Sequence, residues 1–214
     1  NGVYHGKVVR FELAFDPDTN PTVVVLDVTT ALGGSTALTG FHGGFAAGGF
    51  GYLVPYINSD GGHGKVVRFD LAFDPADPKV EVLDVPTVAN DGDLKRFTGG
   101  FAAGDHGYLV PDQHGNVVRF PTTQDYTSID LSFTKSDPEL IGFKGGFAHD
   151  NSGYLVPSEN GKVVQFSTSD FNANNVNVID FSYLTGDASL VEFSGGFKDG
   201  THGYLIPETY NKVA

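Results

Sequence analysis

Apolar residues come in short bursts along this chain, each broken by Gly, Pro, Asn or Asp. "GKVVRFD" at 64–70 is typical. Its side chains alternate, with Val66 and Arg68 on one face and Val67 and Phe69 on the other, so both faces carry apolar groups. That is the pattern of a strand covered on both sides. "GYLVP", "VEVLDV" and "LKRFTGGFAA" are likewise short, rich in β-branched and aromatic residues, and bounded by turn formers. No stretch sustains a 3.6-residue period, so almost no helix is expected.

These bursts recur. "GGF" stands at 43–45, 99–101, 145–147 and 195–197, giving spacings of 56, 46 and 50 residues. Each full unit carries four strand-like segments: the "GGF" segment, "GYLVP", "GKVVRF", and "VEVLDV" or its equivalents "SIDLSF" and "VNVIDF". Four short strands in a unit of this length is the size of a β-propeller blade. The chain opens in a third segment, "HGKVVRF" at 5–11, and reaches its last "GYLIP" at 203–207. The two half-units together make a fourth repeat.

We therefore expect an all-β fold: a four-bladed β-propeller with four antiparallel strands per blade and one blade closed by both termini. It forms a single domain over 1–214, with repeats at 43–98, 99–144, 145–194, and 195–214 joined with 1–42. Closure would remove the exposed strand edges that recruit other chains. "NKVA" at 211–214 repeats the start of "GKVV", which leaves an open array or filament subunit as the alternative.

The repeats resemble those of the β-propeller group, with a Gly-Gly doublet per blade as in kelch repeats. The chain has no Trp, which kelch and WD repeats place in each blade. The ring size is similar to that of hemopexin-like propellers, whose motifs it does not share. "GGF…GYLVP…GKVVRFDL" also resembles repeats of long secreted or surface proteins of aquatic microorganisms. That resemblance implies an extracellular or cell-surface role without a stated activity.

Composition narrows the function classes. The net charge of −13 disfavours a nucleic-acid backbone and an anionic membrane surface. There is no Cys, hence no disulfide frame and no thiolate chemistry. There is also no Met, from which we expect a processed chain or a segment of a longer one. No run of 18 apolar residues is present, and no membrane insertion is expected. The 29 glycines, about twice the usual share, suit many tight turns.

Two recurrent positions stand out. Arg10, Arg68, Arg119 and, in its place, Gln165 occupy one position of the third segment; Asp27, Asp84, Asp130 and Asp180 occupy one position of the fourth. We expect them to pair across strands or blades as a structural latch. A ring of ligand sites is the functional alternative. Gly43, Gly99, Gly145 and Gly195 are expected to relieve crowding near the ring axis. Tyr4, Tyr56 and Tyr210 fall in loops and are candidate stacking platforms for sugars, although those loops differ between copies. Asp16, Asp18 and Asn20 alternate as in the first half of a calcium loop, but the EF-hand Gly and Glu are missing. Calcium is thus the one candidate cofactor. The histidines show no zinc spacing. No nucleophile elbow or sialidase-type box is present, so no enzymatic activity is expected. The reading is a non-catalytic structural or interaction module whose partners are other protein subunits or further copies of itself. A lectin-like propeller that binds glycans is the alternative.

Overall fold

The computed structural model describes residues 4–13, 22–123, 129, 131–134 and 140–208. The chain runs β1 (Lys7–Phe11), β2 (Val23–Asp27), α1 (Val28–Ala31), β3 (Phe41–Ala47), β4 (Phe50–Pro55), β5 (Ile57–Asn58), β6 (Gly61–Gly62), β7 (Lys65–Asp70), β8 (Val80–Asp84) and α2 (Val85–Ala89). It continues with β9 (Phe97–Ala103), β10 (His106–Pro111), β11 (Asn116–Pro121), β12 (Leu131–Thr134), β13 (Phe143–His149), β14 (Ser152–Pro157), β15 (Lys162–Ser167), β16 (Val176–Asp180), α3 (Phe181–Thr185), β17 (Phe193–Asp199) and β18 (His202–Pro207).

The protein is all-β, and its ladders are antiparallel. Three four-stranded sheets are simple meanders, β3-β4-β7-β8, β9-β10-β11-β12 and β13-β14-β15-β16, here called sheets 1, 2 and 3. Two-stranded sheets stand at either end: an amino-terminal half-sheet, β1-β2, and a carboxy-terminal one, β17-β18. The "GGF" strands lie side by side in the order β3, β9, β13, β17.

Among the described residues, no ladder joins β18 to β1. The two halves of the blade expected to be closed by both termini form separate sheets among the described residues. The repeats account for sixteen of the eighteen described strands, and the short β5-β6 ribbon was not expected. The sequence does not carry the rotation from one sheet to the next, which the packing between sheets sets.

Three apolar clusters fill the gaps between successive sheets. Leu26, Val67 and Phe69 join the amino-terminal half-sheet to sheet 1. Tyr52, Leu109 and Phe120 join sheets 1 and 2. Tyr108, Leu155 and Phe166 join sheets 2 and 3.

The glycine doublet has two jobs. A Cβ on the second glycine, at Gly44, Gly100, Gly146 or Gly196, would lie 2.5–2.8 Å from the carbonyl oxygen of the tyrosine in the next strand. The first glycine is left-handed at Gly43 and Gly145 (φ +78° and +76°), where the ladder shifts register. Of the four first glycines, only Gly99 meets backbone, with a Cβ position 2.9 Å from Gly145 Cα. Crowding thus falls mainly one residue later than expected.

Candidate functional site

Among the described residues, the strand register does not set the candidate latch residues against one another. Antiparallel pairing sets the start of the third strand against the end of the fourth, so the aspartates face lysines: Lys7↔Asp27, Lys65↔Asp84 and Lys162↔Asp180. The arginine position faces Val24, Glu81 and Leu131, and Gln165 faces Asn177. Asp130 lies outside the described residues.

Each described aspartate sits where the fourth strand turns into a one-turn helix. Asp27 accepts from Thr29 N at 3.1 Å and Thr29 Oγ1 at 2.6 Å. Asp180 accepts from Tyr183 N at 3.0 Å and Ser182 Oγ at 2.8 Å. These are N-caps, and "DVTT" and "DFSY" are their sequence signals. The Thr29 hydroxyl is the main cause holding the Asp27 carboxyl below its ordinary range, and the Tyr183 N–H does the same for Asp180. Asp84 makes no cap bond and instead accepts from Lys65 Nζ at 2.6 Å.

The arginines reach the next sheet. Arg10 donates to Leu71 O at 3.1 Å, Arg68 to Thr123 O at 2.8 Å and Arg119 to Thr168 O at 3.3 Å. Each acceptor lies just beyond the third strand of the following sheet. Arg68 also pairs with Glu81. The guanidinium of Arg10 stacks over Phe73 and that of Arg119 over Phe171, 4.6 and 4.9 Å from the ring centroids. The tyrosine of "GYL" makes a parallel bond: Tyr52 Oη donates to Thr122 O at 3.2 Å and Tyr108 Oη to Thr168 O at 3.4 Å. Gln165 breaks the series. It turns back into its own sheet and donates to Tyr154 Oη at 3.0 Å.

An aromatic joint accompanies these bonds. In every repeat the "GGF" phenylalanine stacks on the "GYL" tyrosine: Phe45–Tyr52, Phe101–Tyr108, Phe147–Tyr154 and Phe197–Tyr204, at 4.9–5.3 Å between centroids. The third-strand phenylalanine of the next sheet presses on this pair. Phe120 lies 5.8 Å from Tyr52, and Phe166 lies 5.7 Å from Tyr108. Only glycine in "GYL" leaves room for that ring, because a Cβ on Gly107 or Gly153 would stand 2.6 or 2.3 Å from it.

At the turn before the third strand, His63 Nε2 donates to Gly40 O at 3.3 Å and His114 Nε2 to Lys95 O at 2.7 Å. Burial pushes both imidazoles below their ordinary pKa. Asn160 fills the same position and donates to Ile141 O at 3.2 Å. These histidines therefore act as turn clasps, and His63 and His114 do so in the same place.

The remaining candidates do not converge. Tyr4 is exposed. Tyr56 is half-buried, packed against His42 and under Arg96. Tyr210 and the candidate calcium residues Asp16, Asp18 and Asn20 lie outside the described residues. Among the described residues, no three acidic or histidine side chains gather as a metal cluster. No helix is long and apolar enough to cross a membrane.

A groove of about 220 Å³ opens between sheet 3 and the carboxy-terminal half-sheet, lined by Phe147, Tyr154, Leu155, His202, Gly203 and Leu205 among others. Sequence reading did not single it out.

No protein-family profile matches the chain, and no curated protein matches it in sequence. Solved structures do. A hemopexin fold protein from cow pea is 11% identical, with a TM-score of 0.42 over 78% of this chain and 82% of that one. A plant lectin with two metal binding sites from Cicer arietinum is 14% identical, with a TM-score of 0.40 over 78% and 83%. Glutaminyl cyclase of Myxococcus xanthus is 12% identical, with a TM-score of 0.46 over 77% and 66%. Likeness at this level transfers no ligand or activity.

Proposed function

We propose that the chain is a non-catalytic structural and interaction module of the cell exterior. It is built on a four-bladed propeller plan in which the fourth blade is divided between the two half-sheets. One observation carries this reading: the side chains that repeat are spent on joining one sheet to the next. Arg10, Arg68 and Arg119 bond a neighbouring sheet's backbone, and Phe120 and Phe166 wedge into a neighbouring sheet's aromatic pair. A protein that repeats its joints and varies its loops is suited to building an assembly. Electron micrographs of the purified chain at rising concentration test this: ordered particles or polymers are expected, and a monodisperse 22.7 kDa species at every concentration overturns it.

A second reading has its own observation. The outer edge of sheet 3 carries a polar groove lined by Ser152, Gln165, Asp170, Asn174, Asn175 and Asn177, groups that hydrogen-bond sugars. Glycan-array binding that Asn174→Ala abolishes is the expected sign of a lectin, and a blank array removes the idea.

A further inference from the structure

Sheet 3 departs from sheet 1 at three positions of one face. In sheet 1 that face is closed by Phe50, Arg68 and Glu81. Register sets Tyr52↔Arg68 and Arg68↔Glu81, with Phe50 two residues before Tyr52. The Arg68 guanidinium lies 4.5 Å from the Phe50 ring centroid and pairs with Glu81, and Arg68 is 3% exposed. The same register in sheet 3 sets Tyr154↔Gln165 and Gln165↔Asn177, with Ser152 two residues before Tyr154. Phenylalanine, arginine and glutamate are thus exchanged together for serine, glutamine and asparagine. A ring and two charges give way to three short neutral side chains, and these line the polar groove, of about 500 Å³.

The exchanged side chains bond to one another and leave defined groups for a ligand. Gln165 Nε2 donates to Ser152 Oγ at 3.3 Å and to Tyr154 Oη at 3.0 Å, and Asn177 Nδ2 donates to Gln165 Oε1 at 3.3 Å. Ser152 is left with its hydroxyl hydrogen to donate, and Asn177 with its carbonyl oxygen to accept. The loop 167–175 supplies more of the lining. Phe171 anchors it, buried edge-on against Tyr108 and Phe166. Asp170 accepts from Asn172 Nδ2 at 2.7 Å and Asn175 Nδ2 at 2.6 Å, so its carboxylate is held within the loop. The exposed amides of Asn151 and Asn174 each offer a donor and an acceptor. None of the lining side chains is basic. Donors and acceptors mixed in this way match a hydroxyl group, which does both, and no cation offsets a negative charge on the ligand. A loop already held in place also lowers the ordering cost of binding.

Resting on the lectin reading above, we propose that this groove is a single-site receptor for an uncharged sugar residue, created in sheet 3 by the three-residue exchange. The exchange occurs once. Sheet 1 keeps all three packing residues, and the amino-terminal half-sheet and sheet 2 keep the arginine as Arg10 and Arg119. One site per chain also fits loops that differ from copy to copy.

The combined variant Ser152→Phe, Gln165→Arg, Asn177→Glu rebuilds the sheet 1 trio in sheet 3 and tests this. The full chain is run on an array of neutral and sialylated glycans, and the neutral hits are titrated as free monosaccharides by ligand-observed NMR. Neutral glycans should bind without gain from sialylation, and the triple variant should bind about tenfold or more weakly. Asn177→Ala changes an exposed position and leaves the fold in place. It should weaken the titration by about two- to tenfold, the fold-change for one neutral hydrogen bond. Should the triple variant not fold, Asn177→Ala decides alone. A blank array removes the lectin reading and this site with it. Wild-type binding that both folded variants leave unchanged means that the sugar is held elsewhere, which overturns this groove and spares the lectin reading. A preference for sialylated glycans overturns the uncharged ligand.

Discussion

The middle sheets and the terminal half-sheets are built from the same sequence, yet they differ in what they bury. Tyr52, Val67, Tyr108, Val118 and Phe120 are sealed between sheets, while Tyr204, Val9 and Phe11 stand about half in solvent. The difference does not come from strand propensity, since the segments are near-copies. It comes from neighbours: a "GYL" strand is buried when a "KVVRF" strand lies on its outer side and another sheet lies over its face. Burial in this protein is thus a property of the joint between repeats more than of the repeat itself.

The largest expected contrast is at the third-strand phenylalanine. Phe120→Ala should cost about 3–5 kcal/mol in denaturant unfolding, the range for truncating a buried aromatic. Phe11→Ala should cost the isolated chain much less. Equal losses would mean that the half-sheets are as well packed as the middle ones. Next comes the glycine beneath that ring. Gly153→Ala should destabilise by about 1–3 kcal/mol, because its Cβ would be driven to 2.3 Å from Phe166. Gly203→Ala should leave the melting temperature of dilute protein nearly unchanged.

Acid should also separate the repeats. His63 and His114 are held below their ordinary value of 6.5 by burial. Below 6.5 the unfolded chain takes up protons that the folded chain refuses, so stability falls with falling pH and is flat above that point. Asn160 clasps the same turn in sheet 3 without titrating. A His63→Asn, His114→Asn double variant should therefore lose the slope that begins at 6.5. A second decline, below the ordinary aspartate value of 3.8, should persist in that variant. Asp27 and Asp180 are held below 3.8, so the stability they give is complete above it and disappears as they protonate.

The smallest contrast is between the two aspartate roles. Asp27→Ala removes a cap and should cost about 1 kcal/mol. Asp84→Ala removes only a part-exposed pair with Lys65 and should cost about 0.2–1 kcal/mol. A larger loss at Asp84 would restore the latch that its sequence position suggested.

Much of the architecture was legible in the sequence. "GGF", "GYLVP" and "GKVVRF" are strands in the order and pairing their repetition implied, because alternation and turn formers are local signals. The fourth-strand aspartate was recognised as structural but given the wrong partner. Reading repeats as aligned columns hides the fact that antiparallel strands meet head to tail. Arg68 was expected to pair with an aspartate across strands or blades, whereas its guanidinium pairs with Glu81 opposite it and reaches Thr123 in the next sheet. The closure of the ring was inferred from a count of strands. Whether the ends meet depends on how far each joint turns the next sheet, and no single residue encodes that.

One substitution gives the molecule a direction. At the arginine position sheet 3 carries Gln165, which is tied to Tyr154 and not to the sheet that follows. Among the described residues, the last joint therefore lacks the arginine strap that fastens each earlier sheet forward. Fraying should begin there and travel toward the amino terminus, so amide exchange in β17 and β18 would precede exchange in β9 and β10.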